Sequence, residues 1–243
     1  MEVDDNRLSP PVWRHDAYTL RRLAISIRSL LNAGLDSARS IHGSKAGVAV
    51  DIGAGNTPYR SLFTERGLNY IGCDIDVDEL GASAPQVRIA PGQQIPLEAL
   101  SADWVVSFQV LEHVWDLDWY LGEAKRLLKP EGRLLISTHG TWLYHPHPTD
   151  YRRWTRDGLV KELETRGFNV VSICADVGPL AWTTQFRCLA YHHVISKVPL
   201  LGRWLSAGFC ALMYLRMMVE DMVTPAQLIN DNAAVYTILA VHA

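Results

Sequence analysis

Between Ser137 and Thr155 the chain reads STHGTWLYHPHPTDYRRWT, which gathers His139, His145, His147, Asp150 and Tyr151 in one short segment. Imidazoles titrate near neutrality, so such a segment can supply a general base that takes a proton from a hydroxyl. A structural alternative stands beside it: His145 and His147 alternate with Pro146 and Pro148, as in a rigid loop whose histidines only bond to backbone. Arg152, Arg153 and Arg156 are open to two roles, solvated surface or a clamp for a phosphate or carboxylate. A second constellation is VAVDIGAGNTPY, in which Gly53 and Gly55 follow an apolar run. Glycines there let the backbone swing from strand to helix and let a ligand approach without a Cβ in the way. The third glycine of a dinucleotide fingerprint is replaced by Pro58, so a cofactor without phosphates suits this turn better. Asp74 ends the next apolar run, where a carboxylate can accept both hydroxyls of a ribose; Asp76 reads as a surface residue.

These residues need a sheet to carry them. Apolar runs at Val48 to Ile52, Asn69 to Cys73, Asp103 to Ser107, Arg133 to Thr138 and Asn169 to Cys174, with a weaker one at Gln86 to Ala90, alternate with helical spacing such as Leu117, Leu121, Ala124 and Leu128. Asp116 and Thr155 are candidate N-caps, and Gly167 a helix end. Strands alternating with helices imply βαβ units and a mostly parallel, buried sheet. Ahead of it, Leu20, Leu23, Ile27, Leu30 and Leu31 predict a capping helix, with Arg14, Arg21 and Arg28 on a solvated or anion-facing side.

Composition narrows the function. With 20% charged residues and a net charge of -3, the chain lacks the basic field that would recruit nucleic acid, so no nucleic-acid partner is expected. Cys73, Cys174, Cys188 and Cys210 have no C-x-x-C spacing, which fits buried, reduced thiols. The polar residues Met1 to Asp16 do not look like a secretory leader, so a cytoplasmic location is expected.

The segments VDIGAGNTPYR, YIGCDIDVDEL, QQIPLEALSADWVVSFQVLEHV, LKPEGRLLISTHG and HPTDYRRWTRDGLVKELETRGF occur in that order. Together they resemble the class I S-adenosylmethionine-dependent methyltransferases, in particular the small-molecule enzymes with an L-E-H-V segment. The resemblance implies a Rossmann-like α/β fold, a mostly parallel seven-stranded sheet with helices on both faces and the last strand antiparallel. It implies S-adenosylmethionine as cofactor, with Asp51, Gly53 and Gly55 facing its methionine part, Asp74 its ribose, and Gln109 along the same cleft. Where the family often has an acid for the adenine amino group, this chain has Pro91 and Gly92, so backbone groups near Gly92 are the expected adenine readers. Glu112 and His113 resemble part of an E-x-x-E-H metal site in related quinone-pathway O-methyltransferases, but Gln109 replaces the first acid. No metal is expected, and His113 reads as a pocket wall.

The expected organisation is a lead and capping helix over 1–46, a cofactor-binding core over 47–175, a helical apolar insertion over 176–233 and the last core strand over 234–243. Within the insertion, Trp204 to Leu215 carries no charge and is flanked by Arg203 and Arg216. That run is shorter than the roughly 20 residues a bilayer span needs. Its apolar side chains could cover the substrate cleft as a lid, form a homodimer contact, or anchor the protein peripherally on a membrane, a membrane-associated location. The expected activity is O-methylation of a small-molecule acceptor, a sugar hydroxyl or related biosynthetic intermediate, with His139 as the base and His145 and His147 as alternatives. C- or carboxyl methylation and a non-catalytic cofactor-binding partner are the competing readings.

Overall fold

The computed structural model describes residues 6–42, 47–75 and 87–243; Asp76 lies outside them. Helix α1 (Ala17–His42) precedes β1 (Val48–Ile52), α2 (Arg60–Thr64), β2 (Asn69–Asp74), β3 (Val87–Arg88) and β4 (Ala102–Phe108). A 3-10 turn (Leu111–His113), α3 (Leu117–Leu127), β5 (Leu128–His139), α4 (Arg156–Thr165) and β6 (Phe168–Asp176) follow, then α5 (Pro179–Ile195), α6 (Gly202–Val223), α7 (Ala226–Asp231) and β7 (Val235–His242). The strands form one seven-stranded sheet in the order β3-β2-β1-β4-β5-β7-β6. Strands β1 to β5 pair in parallel, and β7 runs antiparallel between β5 and β6.

Alternate residues of a strand face opposite sides, so a sheet covered on both faces shows near-continuous apolar strands. Val50, Val105 and Leu134 enter one core with Leu121 and Leu127 of α3, whereas Ala49, Trp104 and Leu135 enter the other. The Leu23, Ile27, Leu30 and Leu31 stripe of α1 fills that second core. Both expected caps are present: Asp116 accepts from Trp119 N at 2.9 Å, and Thr155 from Gly158 N at 3.1 Å. The run at Arg133 to Thr138 extends further than its pattern implies, back to Leu128, where Ala102 pairs with that residue across a bulge. Within the described residues, the weaker run at Gln86 to Ala90 holds the two-residue strand β3.

The insertion is helical, and it corrects one expectation. Among the described residues no helix is long and apolar enough to cross a membrane. The uncharged run from Trp204 is only the first part of α6, whose second half carries Arg216, Glu220 and Asp221. Those charges are tied to the protein: Arg216 pairs with Glu220 at 2.7 Å, Thr184 of α5 donates to Glu220 at 2.9 Å, and Tyr18 of α1 donates to Asp221 at 2.7 Å. Peripheral membrane contact through the insertion, and a membrane-associated location, are therefore overturned. Arg21, assigned above to a solvated or anion-facing side, instead donates to Pro10 O at 2.9 Å and lies over the Tyr214 ring. All four cysteines are free thiols, with Cys73, Cys188 and Cys210 buried and Cys174 half-buried.

Candidate active site

In an open α/β sheet a ligand lies beyond the carboxyl ends of the strands, where the order reverses. Here that point falls between β1 and β4. Gly53, just after β1, has φ +81, and a Cβ added to it would lie 2.6 Å from Val110. Gly55 has φ +50 and open space where its Cβ would be. Both conformations favour glycine, and the second leaves the backbone approachable. Gly55 N donates to Asp74 Oδ2 at 2.7 Å, so the acid ending β2 is drawn to the glycine turn.

Asp51, on β1 itself, is buried, and Tyr70 OH donates to its Oδ2. Its Oδ1 is buried without a hydrogen-bond partner among the described residues. Burial pushes its carboxyl up to about 7, with the Tyr70 bond opposing the shift and the Asp74 charge adding to it. Gln109 has φ 58 and donates from Nε2 to Ser137 Oγ at 3.1 Å, beside the end of β5. Gly92, with φ +78, lies at an exposed turn where Gln93 N donates to Ala90 O at 2.9 Å.

The histidine segment begins at the end of β5. His139 is almost completely buried, and its Nδ1 lies 2.8 Å from Oε1 of Glu112. That contact is close but not aligned as a linear hydrogen bond, so it acts chiefly through charge. Glu112 has no exposed surface, and Thr138 Oγ1 donates to its Oε2 at 2.8 Å. Burial alone would push the Glu112 carboxyl up; the facing His139, chiefly by charge, holds it below the usual carboxylate range. Strand register brings the two together: Phe108 pairs with Ser137 and Gln109 N donates to Ser137 O, so the turn after β4 passes along the end of β5. Glu112, read above only as part of a metal motif, thus faces a histidine. Among the described residues no group of three or more His, Cys, Asp or Glu side chains is placed to hold a metal ion.

The Trp142 ring stacks on His139 at 5.0 Å and 3°. His145 is 5.9 Å from the His139 ring and 4.9 Å from His147. Burial, with the His139, His147 and His113 charges adding to it, pushes His145 down to about 4, which makes it a weak base at neutral pH. His147 is exposed, and His113 bonds through Nδ1 to Thr149 O at 2.6 Å. Two of the arginines hold the segment in shape. Arg152 donates to the Val114 and Trp115 carbonyls, and Arg153 to the Trp142 and Leu143 carbonyls and to both oxygens of Asp150. Arg153 holds Asp150 down to about 2, so neither guanidinium is a free anion clamp.

Residues 50–136 match a family model described as a methyltransferase domain. A relative from Mycolicibacterium smegmatis named "Probable S-adenosylmethionine-dependent methyltransferase" is 33% identical over 132 residues, covering 50% of this chain and 51% of its own. The chain therefore aligns with about half the length of that relative. Among solved structures, an S-adenosylmethionine-dependent methyltransferase from Mesorhizobium loti is 13% identical with TM-score 0.55, over 90% of this chain and 97% of that one. The cyclase SpnF has a similar fold, at 15% identity and TM-score 0.53 over 88% of this chain and 80% of its own. A fold shared with a cyclase does not by itself fix the reaction, which has to be argued from the site.

Proposed function

We propose that the chain is a class I S-adenosylmethionine-dependent methyltransferase that methylates a hydroxyl oxygen of a small-molecule acceptor, with a sugar or related biosynthetic intermediate as the favoured class. The observation that carries the oxygen-directed reading is the buried His139–Glu112 pair at the end of β5. Methylating a hydroxyl requires removal of its proton, and a histidine faced by an ionised carboxylate is built to accept one. Carboxyl methylation needs no such base.

The residues at the switch point fit the cofactor. Asp51 offers a buried carboxylate oxygen with no hydrogen-bond partner among the described residues, suited to the cationic amine of the methionine part. Gly55 leaves room for close approach, and Asp74 lies at the distal edge of the turn for the ribose hydroxyls. Gly53 and Gln109 line the same edge, and the backbone at Gly92 is left for the adenine. S-adenosylmethionine, when bound, supplies a methyl group on an electron-poor sulfonium sulfur. The protein's tasks are then alignment, exclusion of water and proton removal. Glu112 holds the Nδ1 edge of His139, so Nε2 is the nitrogen that takes the acceptor proton, and the imidazolium formed is compensated by Glu112.

The test incubates purified protein with methyl-labelled S-adenosylmethionine and acceptor pools separated into sugars, phenols and carboxylic acids. Label is expected in an alkali-stable ether, with the sugar pool the best acceptor. Label in an alkali-labile ester, or on carbon, would overturn oxygen methylation. Calorimetry showing no cofactor binding by the folded protein would overturn the enzyme reading altogether.

A further inference from the structure

We propose that the insertion reaches the reaction centre through its first helix, with Phe186 and Trp142 acting as positioning residues that fix the plane of the His139 ring. The proposal rests on the reading of His139 as the base. Glu112 holds the ring only at its Nδ1 edge, and a ring held at one edge can still rotate about its side-chain axis. The parallel Trp142 face, 5.0 Å away, restricts that rotation. Trp142 is steadied in turn: Arg153 Nε donates to its carbonyl at 3.1 Å, and the Phe186 ring of α5 meets it edge-on at 5.7 Å and 82°. Trp182 backs Phe186 at 5.3 Å, and its Nε1 donates to Asn232 O at 3.1 Å, close to the start of β7.

The chain of contacts therefore runs from the β7 end of the sheet through Trp182, Phe186 and Trp142 to the imidazole. A merely structural role is poorly served by this arrangement. Phe186 is only half-buried and is not among the residues packed in either apolar core. Trp142 touches the second core only from its partly buried margin. The geometry suits a base whose Nε2 has to meet an acceptor in one orientation, where a small displacement costs rate rather than stability.

The test uses full-length Phe186→Ala, Trp142→Leu and Trp142→Phe proteins. Long-range proton–nitrogen NMR of the imidazole nitrogens, assigned with His139→Gln, reads the tautomer of His139 without any acceptor. Wild type and Trp142→Phe are expected to show one His139 tautomer with the proton on Nδ1, and Phe186→Ala and Trp142→Leu a mixture of both. In the methyl-labelling assay with the active acceptor pool, the two truncated variants are expected to lose about tenfold in kcat, with acceptor KM and cofactor affinity near wild type, and Trp142→Phe to recover most of it. Unchanged tautomers in both truncated variants overturn the positioning role even when His139→Gln is inactive. A fall in melting temperature and cofactor affinity that parallels the loss of turnover overturns it in favour of a folding role. Normal turnover in His139→Gln overturns instead the reading of His139 as the base, whatever the spectra show.

Discussion

Two buried carboxyl groups at one edge of the sheet are treated in opposite ways. Glu112 is held below its usual range because a histidine faces it, whereas Asp51, whose bonded partner is a neutral phenol, is pushed up to about 7 by burial. The Asp51 shift has a sign that can be measured. At acidic pH the group is protonated in both folded and unfolded chains; between its ordinary value of 3.8 and about 7 only the unfolded chain loses the proton. Folding is therefore disfavoured progressively as pH rises through that window, and the cost levels off above it. Asp51→Asn removes the effect while leaving an oxygen for Tyr70. Thermal melts are expected to place the Asn variant above wild type at pH 8, with the difference shrinking toward pH 4; an offset constant with pH would refute the account. Its cofactor affinity should fall. At the proposed base, His139→Gln should lower turnover by about 100-fold or more with cofactor affinity near wild type.

Among the elements, α4 is set by a single side chain. Thr155 caps it immediately after Trp154, whose N–H donates to His139 O at 3.1 Å, so the helix start pins the far end of the histidine segment. Thr155→Ala should cost about 1 kcal/mol in urea unfolding, the usual worth of a cap. Its effect on cofactor binding should be negligible, since the glycine turn lies across the sheet at β1. Caps of this kind were legible in the sequence because they act over three residues. The β4 to β5 register was not, and with it went the role of Glu112. A buried acid in the turn after one parallel strand, with a histidine ending the next, is a signal that could have been used had the two strands been taken as neighbours.

For the whole molecule, Asp221 is one point where the insertion meets the core. It accepts from Tyr18 OH of α1 at 2.7 Å and from Gly178 N, ahead of α5, at 2.8 Å, so one carboxylate on α6 ties three segments. Asp221→Ala removes two charge-assisted bonds, each worth roughly 1.5–3 kcal/mol, and allowing for non-additivity a loss of about 2–4 kcal/mol in urea unfolding is expected. A loss under about 0.5 kcal/mol, the range of an ordinary surface substitution, would show that the insertion is not anchored there. The sequence by itself determined the α/β class, the order of strands and helices, the glycine turn with Asp74 beyond it, and the helical nature of the insertion. Each of these is written in local spacing or in motifs that read along the chain. Tertiary structure alone decided that Glu112 faces His139, that burial depresses His145, that Arg152 and Arg153 bond within the protein, and that α5 approaches Trp142 beside His139 while α6 is tied to α1. Those outcomes depend on burial and on contacts between residues dozens of positions apart, and neither is fixed until strands pair and helices pack.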